Sequence, residues 1–204
     1  MRINKEEHLK HAWRVHKLLP DLRIEDVWLL PVELEPDQSV VELNHAFVQA
    51  LGETSNKGLA GMLFRLRFFL GRVFGWEDAD KANEALPEGS IRERYAHQEG
   101  LSALDVGFEG FADFVPVYGN RKEMLSEIEN ETVLVAAHFG RVPNGQGKYA
   151  VQMTVYVKPK GRFGAFYMQL IKPFRRWIVY PYLLKMIGGQ WKAYQQRSIS
   201  MAEA

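Results

Sequence analysis

The sequence predicts an α+β domain, an antiparallel sheet covered by a long C-terminal helix and preceded by an N-terminal helical arm. Three observations lead there. Arg23–Leu34 alternates with the period of a strand, several further strand-like runs follow Phe108, and the stretch from about Phe163 to Tyr194 is apolar at helical spacing. With 204 residues, 47% of them hydrophobic and 25% charged, the chain has the balance of one globular domain with a generous core.

The arm comes first. Leu9, Ala12, Trp13, His16 and Leu19 recur at helical spacing between Lys5 and Leu19, and Pro20-Asp21 supplies a stop, so residues 1–22 are expected to form a helical arm. In Arg23–Leu34, the residues Ile24, Asp26, Trp28, Leu30, Val32 and Leu34 share one face, and Pro31 suits an edge. A helix is expected from about Ser39, with Val40, Val41, Leu43, Phe47 and Leu51 inward. A second apolar stripe runs from Leu59 to Val73 beyond the turn chemistry of "GETSNKG". Glu77–Phe108 shows no clear period.

Strands are then expected in "FADFVPVY", "EMLSEIE", "TVLVAAHF" and "KYAVQMTVYVKP". In the last pair, Val133, Val135, Ala137 and Phe139 must share a sheet side with Tyr149, Val151, Met153, Val155 and Val157. Facing residue numbers must then sum to an even value, so the turn through "VPNGQG" has to be longer or more bulged than two residues. The final helix is apolar nearly all round, as a buried helix is. Pro173 predicts a break after Lys172, and Pro181 predicts a bend near Trp177. Residues 23–195 therefore read as one domain and 196–204 as a flexible tail.

Composition excludes several functions. A net charge of +1 provides no global field for nucleic acid, and the absence of cysteine removes disulfides, thiolate zinc sites and a cysteine nucleophile. The first residues, "MRINKEEHLKHAWRVH", contain no secretory pattern, so a cytoplasmic location is expected. Lys172, Arg175, Arg176 and Lys185 interrupt "IKPFRRWIVYPYLLK" too often for a membrane span.

Candidate chemistry is sparse. His8 and His11 share a helix face but His16 is off ligand spacing, which favours solvated or core-edge histidines over a metal site, and no cofactor is expected. His138 as a general base, with Tyr156 or Thr154 orienting substrate, competes with a location on the polar, convex side of the sheet. Arg92, Glu93 and Arg94 could place a guanidinium at a pocket mouth or form a surface salt-bridge cluster. Lys172, Arg175 and Arg176 beside Trp177, Tyr180 and Tyr182 are residue types found at a lipid headgroup boundary.

Five motifs carry a resemblance: Trp13–His16 with Arg23–Pro31, Phe74–Trp76, Glu127–Thr132, Val155–Pro159 and Tyr167–Pro181. Over nearly its full length the chain resembles an uncharacterised bacterial family of unknown function that is similar to the START-like, or helix-grip, superfamily. The resemblance implies a curved antiparallel sheet gripping the C-terminal helix around an internal cavity. "IKPFRRWIVYPYLLK" would then be the gripped helix. Some family members are fused behind a nicotinamide-cofactor domain, but no glycine-rich fingerprint follows the first strand here.

The expected function is binding of an apolar or amphipathic small molecule, with Trp28, Trp76, Met153, Tyr167, Phe174 and Trp177 as cavity wall and Arg94 as polar anchor. The alternatives are a cyclase- or hydratase-type enzyme in the same pocket, and a peripheral membrane protein docking through Lys172, Arg175 and Arg176. Whether the chain is an enzyme, and its oligomeric state, stay open at this level.

Overall fold

A computed structural model describes residues 1–53, 89–99, 107–110, 114–129 and 132–202. In chain order the elements are β1 (Arg2–Ile3), α1 (Lys5–Leu9), α2 (Val15–Leu18), β2 (Arg23–Leu34), α3 (Val40–Glu53) and α4 (Ile91–Glu99). They are followed by β3 (Val115–Gly119), β4 (Glu123–Glu129), β5 (Val133–Pro143), β6 (Tyr149–Pro159) and a helix in three parts. These parts are α5 (Gly161–Phe174), a π-helical turn (Arg175–Val179) and α6 (Tyr180–Ala202). The strands form one antiparallel sheet in the order β1-β2-β6-β5-β4-β3, which sets the first long strand beside the last.

The β5–β6 register is the one that side-sharing requires. Phe139 faces Met153, Ala137 faces Val155 and Val135 faces Val157, while residues 144–148 form the longer connection. Within it, Gly145 and Gly147 take positive φ, which glycine adopts at no steric cost.

The inner face is apolar. Trp28, Leu30, Val32 and Leu34 of β2 meet Met153, Val155 and Val157 of β6 and Ala137 and Phe139 of β5. Over them lie Val40, Leu43 and Phe47 from α3, together with Met168, Tyr180, Leu184, Ile187 and Trp191 from the terminal helix. Glycines set how closely this helix sits: a Cβ at Gly164 would stand 2.1 Å from the Thr132 carbonyl oxygen, and one at Gly188 2.8 Å from Pro31.

The helix is continuous from Gly161 to Ala202, so the expected break after Lys172 does not occur. Pro173 is exposed, and the carbonyl left without its N–H can tilt toward water. Near Trp177 the response to Pro181 is the π turn, closed by the Tyr180 N–H donating to the Arg175 carbonyl. A π turn inserts one residue, which rotates the helix by about 100° relative to a straight α-helix. Phe166 and Leu184 would share a face in an unbroken helix, yet Phe166 is exposed and Leu184 is buried. The apolar residues between Phe166 and Trp191 are thereby split between two faces.

The outer face, expected to be the polar, convex side, is also buried. The arm covers it with Trp13, Val15, Leu18, Leu19 and Leu22, and α4 adds Ile91 and Tyr95. The arm is two short helices rather than one, because the Arg14 N–H donates to the Glu123 carboxylate, at 3.1 and 3.2 Å, instead of continuing a helix. The start of α4 is fixed from the sheet: the Glu127 carboxylate accepts the Ile91 and Arg92 N–H groups at 2.7 and 3.0 Å, and the Ser90 hydroxyl accepts that of Glu93. Burial raises the Glu127 carboxyl above its usual range despite these two donors.

Candidate functional site

Three places in the molecule combine residues in ways that core packing alone does not require. The first is a charged cluster where β2 meets the terminal helix. Ile24 pairs with Tyr156 but Asp26 with Val155, so Glu25 is the extra residue of a bulge. The bulge turns both acidic side chains to the helix. Glu25 faces Arg175 at 3.2 Å, Arg23 at 3.5 Å and Lys172 at 3.6 Å. Asp26 accepts from Arg2 at 3.1 Å and from two Arg176 nitrogens at 2.9 and 2.8 Å, all on Oδ1. Its Oδ2 has no hydrogen-bond partner. Beside the cluster, β1 and the departing Asn4 and Lys5 leave an open cleft of about 440 Å³ along Ile24–Val27.

The second place is a polar network sealed between the arm and the outer face. The Glu123 carboxylate accepts from His138 Nε2 at 3.0 Å and from the Tyr118 hydroxyl at 3.0 Å, in addition to the Arg14 N–H. Burial pushes its carboxyl up, but the His138 and Arg14 bonds outweigh this and hold it below the usual range. An ionised Glu123 fixes the neutral tautomer of His138 with its proton on Nε2, leaving Nδ1 as a buried atom without a partner. Burial lowers the His138 imidazole, against the pull of Glu123. Tyr118 and Tyr156 are held protonated by burial and by the same carboxylate.

His8 descends from α1 into this network. Its Nε2 lies 2.7 Å from the Tyr156 hydroxyl and its Nδ1 3.0 Å from Thr154 Oγ1 and 3.4 Å from Gln152 Oε1. Burial, then the neighbouring His138 and His16, lower its imidazole to about 3. Trp13 closes the site, its ring against Gly140, where a Cβ would stand 2.7 Å from the indole. Among the described residues no group of His, Asp and Glu side chains is placed to hold a metal ion.

The third place is the exposed side of the terminal helix. Phe166, Leu170, Phe174, Trp177 and Ile178 form one stripe there, with Trp177 80% exposed. From Gly161 to Ala202 the helix contains no acidic residue, while Arg162, Lys172, Arg175, Arg176, Lys185, Lys192 and Arg197 give it a uniform positive charge. Among the described residues the inner face holds a void of about 20 Å³ near Leu43, Phe47, Phe139 and Ile187. That is room for about one water. Among the described residues no helix is long and apolar enough to cross a membrane.

A family model described as a protein of unknown function, DUF2867, matches residues 18–182. The chain belongs to the DUF2867 family. No curated protein and no solved structure is significantly similar to it. In this DUF2867 chain the matched span begins inside α2 and ends just after Pro181, so it covers the whole sheet beyond β1, the bulge cluster and the π turn.

The residues expected to line a cavity are dispersed. Trp28 and Met153 lie in the inner core, Trp28 with its ring 5.2 Å from that of Tyr180. Phe174 and Trp177 face outward, because the glycine-bearing side of the DUF2867 helix, Gly164 and Gly188, is the side that docks. The Arg94 guanidinium is bonded to both Asp21 oxygens, at 2.6 and 3.2 Å, and Lys158 reaches the same carboxylate. Those two bonds, Arg94 first, hold Asp21 well below the usual carboxylate range. Trp76 and the side chain of Tyr167 lie outside the described residues, as does the stripe Leu59–Val73.

Lys172, Arg175 and Arg176 pair with Glu25 and Asp26. His8 and His138, expected near solvent, are fully buried. Glu123 was not foreseen as a site residue. The available signal was its alternation: Glu123, Leu125 and Glu127 share one face of β4, and on β5 their pairing partners are Gly140, His138 and Ala136.

Proposed function

We propose that this domain is a helix-grip binding module that engages an anionic lipid surface through the outer side of its terminal helix. The observation that carries the reading is the pairing of the exposed stripe Phe166, Leu170, Phe174, Trp177 and Ile178 with a helix free of acidic residues. Contiguous exposed apolar side chains mark interaction surfaces. An aromatic, cationic helix lying on a surface fits the boundary of an anionic bilayer, where rings reach the acyl region and ammonium groups remain among the headgroups. Exposed cations of the helix include Arg162, Lys185 and Lys192, while Lys172, Arg175 and Arg176 hold the helix to β2. The helix-grip assignment is supported by the strand order, with β2 beside β6, and by the long helix across the inner face. A closed-cavity carrier finds less support, because the inner void has space for one water. A cyclase or hydratase finds less as well, since Glu123 and His138 are buried beneath the arm.

The test is co-sedimentation with vesicles of phosphatidylcholine alone and of phosphatidylcholine mixed with phosphatidylserine. Binding is expected only with the mixed vesicles, weakened by salt, by Trp177→Ala and by the pair Arg162→Glu and Lys185→Glu. Equal sedimentation with both vesicle types, or none with either, would overturn the reading. Arg175 and Arg176 are unsuitable probes because replacing them also unpairs Glu25 and Asp26.

A further inference from the structure

The outer-face network carries an inference independent of the lipid surface. We propose that the N-terminal arm is a proton-operated strap: closed over the sheet through His8, His16 and His138 at neutral pH, and released when those imidazoles take up protons.

The argument is geometric. The His8 ring lies 5.1 Å from that of His16 and 5.3 Å from that of His138, so three imidazoles, two buried and His16 half-buried, meet where the arm crosses the sheet. The carboxylate facing them is Glu123, already bonded to His138, Tyr118 and the Arg14 N–H. One negative charge can balance one imidazolium, and a second or third would place like charges about 5 Å apart away from water.

The surrounding groups offer no relief. β6 presents the neutral Gln152, Thr154 and Tyr156. From β3 and α4 come Tyr118 and Tyr95, over which the Arg14 guanidinium lies at 5.7 and 5.8 Å. The Lys122 ammonium sits 5.3 Å over the Trp13 ring, and His11 stands beside the same ring. Among the described residues the other formal charges named at the site, Arg14 and Lys122, are positive. At His8 both ring nitrogens are satisfied in the neutral form: Nδ1 can donate to Gln152, and Nε2 can accept from the Tyr156 hydroxyl.

The consequence has a definite sign. All three imidazoles are depressed below 6.5 in the closed state, chiefly by burial, so an open arm binds more protons than a closed one. The closed state keeps its full advantage above about pH 6.5 and loses it as the pH falls. Each histidine held neutral shifts the closed-to-open ratio about tenfold per pH unit. With His8 held neutral in the closed state, that group alone lowers the ratio about tenfold by about pH 5.5, and the depressed His138 and His16 add to the fall.

The reporter is Trp13, which packs against His138 at 5.2 Å, and the control is Trp191 in the inner core. The full chain labelled with 5-fluorotryptophan gives a separate fluorine resonance for each, assigned by Trp13→Phe and Trp191→Phe. On acidification the Trp13 resonance is expected to move to a solvent-exposed position with a slope of more than one proton, before Trp191 changes. The paired substitution His8→Gln and His16→Gln should lower that slope to one proton or less. The proposal is overturned if Trp13 and Trp191 move together in the wild-type chain, or if the substituted chain retains the wild-type midpoint and slope. The wild-type titration decides alone if the substituted arm is already open at neutral pH.

Discussion

The inner face of the sheet is covered by apolar side chains from one long helix, whereas the outer face is covered by a short arm that brings imidazoles to a buried carboxylate. On the inner side, Leu184, Ile187 and Trp191 meet Trp28, Met153 and Phe139. Their cohesion is non-directional and changes little with pH. On the outer side, Glu123, His138, His8 and Tyr156 must each be satisfied by a particular atom, and His138 Nδ1, His16 Nε2 and Trp13 Nε1 are left without a partner. A polar interface of that kind fixes one arrangement but contributes little net stability. The difference teaches that the helix holds its face by apolar burial, while the arm joins apolar burial at Trp13, Val15, Leu18 and Leu19 to a polar network that fixes one arrangement.

Truncation on the inner side should have the largest effect. Trp191→Ala removes a buried ring and the bond from its Nε1 to the Glu33 carbonyl, and should cost about 3–5 kcal/mol in urea denaturation. Gly140→Val should be smaller and confined to the outer side. Its Cβ meets the Trp13 ring, so a loss of about 1–3 kcal/mol is expected, with faster amide exchange in residues 5–17 and unchanged exchange in α6. Equal acceleration in both would show that the two faces are one cooperative unit.

Glu123→Gln removes the charge that orients His138 and should cost about 1–3 kcal/mol at neutral pH. Its pH signature separates it from a packing defect. In the wild-type chain the depressed Glu123 carboxyl contributes stability above about 4.5 that is lost as the pH falls through its folded value, and this acid-side slope should flatten in the variant. The smallest effect belongs to the exposed stripe. Trp177→Ala should change stability by no more than about 0.5 kcal/mol while reducing vesicle binding, because its ring is four-fifths exposed.

Much of the sheet was legible because strand alternation is a local signal. The β5–β6 parity required an even register and a long turn, and both are present. The helix beneath was legible as apolar, but its phase was not: Phe174 and Leu184 look equivalent in the sequence, and the π turn at Arg175–Val179 sends them to opposite sides. The bulge at Glu25 was equally hidden. Alternation placed Ile24 with Trp28, yet Ile24 packs against the outer cluster, because one extra residue reverses the parity of everything before it. The site of His8, Glu123 and His138 was out of reach for another reason. Its members are brought together by the arm folding back across the sheet, and no spacing in the sequence records that path.

By itself the sequence determined the periods of these elements, the antiparallel hairpin, the acid-free cationic terminal helix and the absence of cysteine chemistry. These depend on neighbours a few residues apart, where backbone geometry leaves few choices. Tertiary structure alone decided which side of the helix is buried, that Lys172, Arg175 and Arg176 neutralise Glu25 and Asp26, and that the outer face is sealed by a histidine-bearing arm. Each of those depends on a close approach between distant segments, at Gly164, Gly188 and Gly140. A missing side chain at these points shows its purpose only when the opposing surface is in place.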